Sequence, residues 1–203
     1  SALLSNADFS NNLEAVRDNL TLSTIDMAGN AAVSLTDSEA STLLEESLSF
    51  AADDTHITLE AEAGSTHLST SLKDLQKLGV DSVGLSGQGD AINLDLGSDT
   101  FSLSSGVLPT FESGLDVTLN VNNIDQLGEL AAVGGQDMFS AGIDNVQLNL
   151  TSQAELNDLL LSNIGTDSVF DQQLDQLDGI SLTTIDMVDT GAVHLSDSDA
   201  KAL

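Results

Sequence analysis

The sequence predicts a two-layer α/β fold in which helices pack on one face of a sheet. Three observations support this: runs in which apolar and polar residues alternate, helical segments that begin at capping residues, and glycines that end helices just before strands. Each strand and helix together span about 30 residues, a length typical of repeat subunits. We expect these subunits to stack in a solenoid-like array, and tandem small α+β domains are the alternative that the periodicity leaves open.

Alternation with a period of two predicts the strands. In HITLEAEA, Ile57, Leu59 and Ala61 face one way, and Thr58 and Glu60 face the other way. The same period occurs in three later runs, whose apolar positions are Ile92–Leu94–Leu96, Leu115–Val117–Leu119–Val121 and Val146–Leu148–Leu150. The alternate positions hold Asn, Asp, Thr and Gln. A strand buried on both faces is apolar throughout, so one face of this sheet is predicted to be wet or to meet another polar surface.

Helices are predicted where capping residues precede apolar segments. Thr36 and Glu39 have the spacing of a capping box, and so do Ser152 and Glu155. Further helices are predicted at 8–19, 69–78, 123–133 and 170–177.

Three glycines are each followed by an aliphatic residue and an aspartate, at Gly79, Gly114 and Gly142. Glycine in the left-handed conformation commonly ends a helix. Each of these glycines is therefore predicted to separate a helix from a strand, although the segment before Gly114 is short for a helix.

The opening block of the chain recurs near its end. LLSN at 3–6 recurs at 160–163, and residues 181–203 repeat residues 21–43 at twelve of 23 positions: Leu22, Thr24, Ile25, Asp26, Met27, Ala32, Val33, Leu35, Asp37, Ser38, Ala40 and Leu43. This pattern is typical of a window from a tandem array. It divides the chain into the end of one unit at 1–20, one complete unit at 21–180 and the start of the next unit at 181–203. We expect the two copies of the block to adopt the same strand–turn–helix.

The charge of the chain is extreme. Its 203 residues include 33 Asp and Glu but only 4 Lys and Arg, a formal net charge of −29. Nucleic acid is excluded as a partner because phosphate binding needs a basic face, and an anionic membrane surface is disfavoured for the same reason. The apolar share of 40% argues against disorder. No apolar run is long enough for membrane insertion, and salt, divalent cations or a basic partner are expected to offset the self-repulsion.

Calcium is the candidate cation, because it prefers oxygen ligands and the chain is rich in carboxylates. Asp81, Asp116 and Asp144 occupy equivalent positions before strands, while Asp53–Asp54 and Asp95/Asp99 are local clusters. A sixth candidate is Asp90 in GLSGQGD (84–90), which loosely resembles a calcium-binding nonapeptide but lacks one residue of its spacing. The alternative is that these aspartates form turns and cap helices.

The sequence contains few residues that are typical of catalytic sites. The chain has no Cys, no G-x-S-x-G motif and only three histidines, His56, His67 and His194. His194 replaces Ser34 in the repeated block, which is typical of a solvent-facing strand position. His56 and His67 flank a hairpin-like stretch and are interpreted as a surface pair. We expect no enzymatic activity, no catalytic residue and no cofactor other than calcium.

The stretch SFAADDTHITLEAEAGSTHLSTSLKDLQKLGVDSV (49–83), with the IDM…AVSLTDSEASTLL block before it, resembles repeat units of very large secreted bacterial adhesins and matrix proteins. These are exported by type I secretion and belong to the calcium-binding tandem-repeat kind. The resemblance implies a location outside the cell, at its surface, and a role as a spacer, adhesive stalk, filament or biofilm matrix. The chain departs from that kind because it lacks a clean glycine-rich calcium nonapeptide.

The function predicted from these observations is structural, and the expected partners are other copies of the chain joined end to end. The alternative is a ligand-binding module for calcium or carbohydrate, or an enzymatic module, within a secreted array.

Overall fold

The computed structural model describes residues 23–27, 32–54, 56–61, 66–85, 91–98, 101–103, 108–162, 176–177, 180–187 and 194. Short strands and helices follow one another along this part of the chain. The strands are β1 Thr24–Ile25, β2 Val33–Thr36, β3 Ser49–Phe50, β4 Ile57–Ala61, β5 Ser82–Leu85, β6 Ala91–Asp95, β7 Thr110–Phe111, β8 Asp116–Val121, β9 Asn145–Leu150 and β10 Ser181–Met187. The helices are α1 Asp37–Glu45, α2 Leu72–Leu78, α3 Ile124–Val133, α4 Gly135–Ala141 and α5 Gln153–Ser162. The prediction of a mixed α/β fold is confirmed.

The strands form three parallel sheets. The first sheet is β1–β3, the second has the order β2–β4–β5–β7, and the third has the order β10–β9–β8–β6. Every pair of neighbouring strands in them is parallel. A helix lies between the partners of most pairs, as between Thr58 and Ser82 or Thr118 and Asn145, but no described helix lies between β5 and β7 or between β6 and β8. Parallel pairing of this kind requires a crossover segment between the partners.

One face of β4, β6, β8 and β9 is buried, as the alternation predicts, whereas the residues of β10 are exposed or only partly buried. In β4 the side chains of Ile57, Leu59 and Ala61 are fully buried, whereas Glu60 is exposed. The predicted apolar positions of the three later runs are likewise buried, except Leu115, which is only partly buried. The helices contribute to the same core, chiefly through Leu43, Leu72, Leu75, Leu78, Leu127, Leu130, Met138, Leu156 and Leu159. Strand and helix faces therefore share one apolar interior.

The first capping box is confirmed in both of its hydrogen bonds. The amide of Glu39 donates to Oγ1 of Thr36 at 3.3 Å, and the amide of Thr36 donates to the Glu39 carboxylate at 2.9 Å. The second box is only half correct. Oγ of Ser152 accepts from the amide of Glu155, but the Glu155 carboxylate accepts from Thr151, one residue earlier than predicted.

The helix predicted at 123–133 agrees with α3, whose N-cap is Asn123. The helix predicted at 69–78 begins only at Leu72, with Ser71 as its N-cap. The helix predicted at 8–19 lies outside the described residues. Of the one predicted at 170–177, only residues 176–177 are described, and residue 176 is helical.

Glycines end two helices as predicted. Gly79 and Gly142 follow α2 and α4 in the left-handed conformation, with φ values of 85° and 93°. Gly114 also has a positive φ, 96°, but it follows the two-residue strand β7. The prediction of a helix before Gly114 is therefore wrong, because the chain makes only a turn between β7 and β8.

The two copies of the repeated block share a strand at two positions but differ in its extent, because β10 includes the counterparts of Ser23, Asp26 and Met27, which lie outside β1. Thr24–Ile25 is a strand, and its counterpart Thr184–Ile185 lies inside β10. The first copy continues through β2 into α1. The corresponding part of the second copy lies outside the described residues except for His194, so the shared strand–turn–helix remains a prediction beyond its first strand.

Alanine substitutions at two glycines test how tightly the segment before β9 packs. A Cβ atom at Gly142 would lie 3.2 Å from both the Cβ and the carbonyl oxygen of Phe111, whereas one at Gly114 would meet nothing within 4 Å. Both substitutions place an L-residue at positive φ, which costs about 1–2 kcal/mol. We expect Gly142→Ala to lower the free energy of unfolding by clearly more than Gly114→Ala, because only Gly142 adds a steric overlap.

Urea denaturation of the two variants and the parent measures this difference. Because both carry the same backbone strain, Gly114→Ala serves as the matched control. Equal losses of stability would mean that the chain near Phe111 is not packed as described here.

Candidate functional site

Two of the predicted calcium ligands hold neighbouring strands together. The carboxylate of Asp81 accepts the amide of Ile57 at 2.8 Å, and that of Asp144 accepts the amide of Val117 at 3.1 Å. The backbone amide of each aspartate donates in return to the carbonyl of the same residue. Asp81 and Asp144 thus extend the parallel ladder by one side-chain bond to a residue 24 or 27 positions away, which is neither the turn nor the helix cap that the sequence left open as the alternative.

A third aspartate, Asp54 of the Asp53–Asp54 cluster, also accepts a backbone amide from a neighbouring strand segment. Both carboxylate oxygens of Asp54 accept the amide of Met27, at 3.0 and 3.1 Å, and the Asp54 side chain is buried. The glycine and aliphatic residue that precede Asp81 and Asp144 are missing before Asp54. The adjacent Asp53–Asp54 pair is the only local signal, and it does not reveal a partner that lies 27 residues away.

The other predicted ligands have different surroundings. Asp116 accepts the side-chain amide of Asn145 at 2.7 Å, and Asp95 accepts that of Asn120 at 3.2 Å. Asp90 and Asp99 lie outside the described residues. Among the residues that the structure describes, no group of three or more His, Cys, Asp or Glu side chains is placed to hold a metal ion. Calcium binding therefore stays a prediction.

A row of hydroxyl side chains crosses the polar face of the second sheet. Strand register places one residue from each strand in line: Ser34, Thr58, Ser82 and Thr110. We call these four residues the hydroxyl row. The hydroxyls of Thr58 and Ser82 lie 2.9 Å apart and link two members of the row, whereas the Thr110 hydroxyl donates to the carbonyl of Asp81. Neighbouring members are about one strand spacing, 4.8 Å, apart.

Acidic residues flank the hydroxyl row. Glu60 is paired with Thr36 on one side and with Gly84 on the other, and it accepts a hydrogen bond from the Ser34 hydroxyl. Beyond Gly84 lies Glu112, whose carboxylate is 3.2 Å from the position that a Cβ atom at Gly84 would take. The missing side chain at Gly84 therefore gives room to the carboxylate of Glu112.

The third sheet carries a polar face of a different composition, which we call the amide face. Its strand register aligns two rows: Asn93, Thr118, Asn145 and Ser181 in one, and Asp95, Asn120, Gln147 and Thr184 in the other. Hydrogen bonds link members of different strands, as between Asn120 and Asp95. Beside these rows, the Asn149 amide donates to Oδ1 of Asn122 at 3.3 Å. Four of the eight aligned residues are Asn or Gln, whose amide side chains both donate and accept hydrogen bonds.

The described basic residues are Lys73 and Lys77. Lys73 is almost fully buried on α2, and its ammonium lies 2.8 Å from the carboxylate of Glu129 on α3. The pair joins two successive helices. Its charge is thus directed into the molecule rather than presented to an anionic ligand.

Two of the histidines, His56 and His67, are exposed, and the surface pair that the sequence indicates stays a prediction. His56 precedes β4 of the second sheet, whereas His67 forms an isolated parallel bridge with Asn93 of β6. The described part of the hairpin-like stretch, β4, pairs in parallel with β2 and β5. His194 is exposed and contacts Gln153 through its backbone.

Asp37 anchors α1 to the loop before α2. Its carboxylate accepts the amide and hydroxyl of Ser69, at 2.8 and 2.6 Å, and the amide of Thr70 at 3.0 Å. Burial by itself raises the pKa of this carboxyl group, but the hydrogen bonds from Ser69 and Thr70 outweigh burial and hold the pKa below its ordinary value of 3.8.

Comparison of the chain with protein-family models, with curated proteins and with solved structures finds no match in any of the three. In the described part of the chain, no helix combines the length and the apolar character needed to cross a membrane.

The lowered pKa of Asp37 predicts a pH-dependent contribution to stability. A carboxyl group whose pKa is depressed in the folded state stabilises above its unfolded pKa and loses that contribution as the pH falls through the folded pKa. We expect Asp37→Asn to lower the free energy of unfolding by about 1 kcal/mol at pH 7, a modest value because the site is partly exposed. The difference from the parent should shrink as the pH falls below 3.8.

Denaturant unfolding of the parent and Asp37→Asn between pH 6 and pH 2.5 measures this dependence. Ser69→Ala is the matched variant, because it removes a donor and keeps the carboxyl group. A parent-to-variant difference that stays constant across the range would contradict the assignment.

The net charge predicts stabilisation by cations. We expect high sodium chloride to raise the melting temperature by screening, and millimolar calcium to raise it further at matched ionic strength, since specific binding acts by mass action on the native state. Melting curves of the parent, Asp95→Asn and Asp116→Asn locate the effect. Coincident curves in the two salts would leave screening as the whole effect, and the calcium prediction would be wrong.

Proposed function

We propose that the chain is a structural segment of an acidic extracellular tandem-repeat protein, which forms a fibre, adhesive stalk or matrix at the cell surface. The role is mechanical and associative rather than enzymatic. The repeated block at residues 21–43 and 181–203 indicates tandem repetition, and the resemblance to secreted bacterial adhesins gives the location.

The parallel order of the strands is the observation that carries this proposal. In the second sheet the order β2–β4–β5–β7 follows the chain, and in the third sheet β6, β8, β9 and β10 also follow it. Each added segment therefore lies beside the one before it. Such an arrangement grows in one direction and supports a solenoid-like array, whose neighbours bury a common core.

The contacts between segments are suited to an extended protein under load. Backbone hydrogen bonds join each strand to the next, and the carboxylates of Asp54, Asp81 and Asp144 add bonds at the strand ends. Helices are joined in the same direction, by Lys73 and Glu129 between α2 and α3 and by Asp37 between α1 and the loop before α2. Separation of neighbouring segments would have to break several of these bonds together.

The polar faces supply the associative part of the proposed role. The hydroxyl row and the amide face present many donors and acceptors but few cations, and the net charge of −29 opposes lateral clumping. Salt screens that repulsion. Contacts with neutral polar surfaces and with other copies of the chain are therefore favoured at high ionic strength.

Immunogold labelling tests the location and form of the protein. Antibodies raised against the chain should label intact, unpermeabilised cells of the organism that makes it, with gold particles in lines or patches outside the envelope. Permeabilised cells and preimmune serum are the controls. Label that appears only after permeabilisation would overturn the proposal.

A further inference from the structure

The end of the described chain carries a second copy of its beginning. β10 is the counterpart of residues 21–27, and Thr184, Ile185, Asp186 and Met187 are identical to Thr24, Ile25, Asp26 and Met27. The strand that precedes β10 in the third sheet is β9, which belongs to the complete unit at 21–180. The contact between β9 and β10 is thus a contact between one unit and the start of the next.

β9 and β10 pair over the whole of β9. Asn145 lies opposite Ser181, Gln147 opposite Thr184, and Leu150 opposite Met187. The register shifts between Leu182 and Thr184, where the hydroxyl of Thr183 reaches the carbonyl of Val146 at 3.4 Å. The first strand of the second copy is therefore an integral member of the sheet.

A second contact lies further along the same copy. The amide of His194 donates to Oε1 of Gln153 at 3.0 Å, and Nε2 of Gln153 donates to the carbonyl of His194 at 3.3 Å. His194 is the counterpart of Ser34 in β2. The side chain of Gln153, at the start of α5, thus binds the backbone of the second copy as a neighbouring strand would.

We propose that consecutive units join through one continuous parallel sheet, and that the outer edge of β10 is the docking edge for the next copy of β3. The inference rests on the proposed tandem repetition and names its junction. In the described sheets β10 is an edge strand, with β9 on its inner side. Its occupant would be the segment of the next unit that corresponds to Leu48–Ala51.

The first copy specifies the register of that occupant. β1 pairs with β3 so that Thr24 lies opposite Ser49 and Ile25 opposite Phe50. The amide of Ser49 donates to the carbonyl of Ser23 at 3.1 Å, and that of Ala51 to the carbonyl of Ile25 at 2.9 Å. Because Thr184 and Ile185 repeat Thr24 and Ile25, the same pairing places a second Ser49 opposite Thr184.

At this proposed junction, the apolar row would be extended by an apolar residue and the polar row by a polar residue. The apolar row Val121, Leu148 and Ile185 would receive a second Phe50 beside Ile185, which is only partly buried. In the first copy, Ile25 packs against the core in that way, beside Phe50. The polar row from Asp95 to Thr184 would receive a second Ser49. Burial of Ile185 and extension of both rows favour this occupant.

A two-unit protein tests the junction. It is made by appending a second copy of residues 44–203 directly after Leu203, because Leu203 is the counterpart of Leu43. The chain contains no cysteine, so a single engineered pair reports one contact. We expect Thr184→Cys to form a disulfide with Ser49→Cys of the second copy on mild oxidation, since paired strands bring Cα atoms within the 4.4–6.8 Å that a disulfide needs.

Two controls fix the interpretation. Thr24→Cys with Ser49→Cys in the single unit places the same pair at a contact that is already described, and it should cross-link. Thr184→Cys with Glu60→Cys of the second copy should not cross-link, because Glu60 lies in β4, opposite Thr36 of β2. A cross-link in the single unit without one at Thr184 would overturn the inference.

Urea unfolding of the parent two-unit protein gives an independent readout. A continuous sheet predicts one cooperative transition with an m-value about twice that of the single unit, because the surface exposed on unfolding doubles. Unchanged midpoint and m-value would mean separate domains, and the junction would be wrong.

The outcomes remain distinct from those of the proposed function. If the gold particles label the cell surface but the two-unit protein does not cross-link, the protein forms a fibre of separate domains. If the two-unit protein cross-links but the cell surface is not labelled, the units form a continuous array that acts elsewhere.

Discussion

Parallel pairing in a fixed register is the constraint on which the rest of this structure depends. Each strand lies in parallel beside a strand from another part of the chain, so the paired residues align in rows across the sheet. Because side chains alternate between faces, a shift of one residue would turn every apolar row towards solvent. The core rows and the two polar faces are therefore fixed together by the same hydrogen-bond ladder.

Some of the acidic residues contribute hydrogen bonds to this ladder and do not only add negative charge to the surface. Asp54, Asp81 and Asp144 accept amides at strand ends, and Asp37 accepts amides from the loop before α2. A carboxylate that accepts backbone amides forms charge-assisted hydrogen bonds, which are stronger than neutral ones. Part of the negative charge thus stabilises contacts between successive segments, while the remainder repels other chains.

The buried Lys73 has the complementary role. In a chain with so few cations, its ion pair with Glu129 joins α2 to α3 across a site where Lys73 is almost fully enclosed. Loss of one partner from a buried pair leaves an uncompensated charge, which costs several kcal/mol, about 3–5 in well-buried cases. The pair therefore helps to set which helix lies beside which, in the same direction as the strands.

The sequence by itself determined the local features of this protein. The alternating runs gave the strands and their buried faces, Thr36 and Glu39 gave a capped helix, and Gly79 and Gly142 gave helix ends. These features depend on residues within one or two turns of each other, so short-range chemistry is sufficient to predict them. The repeated block was also visible from the sequence alone.

Only the tertiary structure decided which segments meet. The two-residue strands β3 and β7, the hydroxyl row, the amide face and the partner of Lys73 all depend on contacts between residues more than 20 positions apart. The predicted calcium positions illustrate the limit. Asp81 and Asp116 follow the same Gly–aliphatic pattern, yet one carboxylate binds a backbone amide and the other a side-chain amide. The acceptor chemistry is local, whereas the donor is supplied by whichever strand the ladder brings beside it.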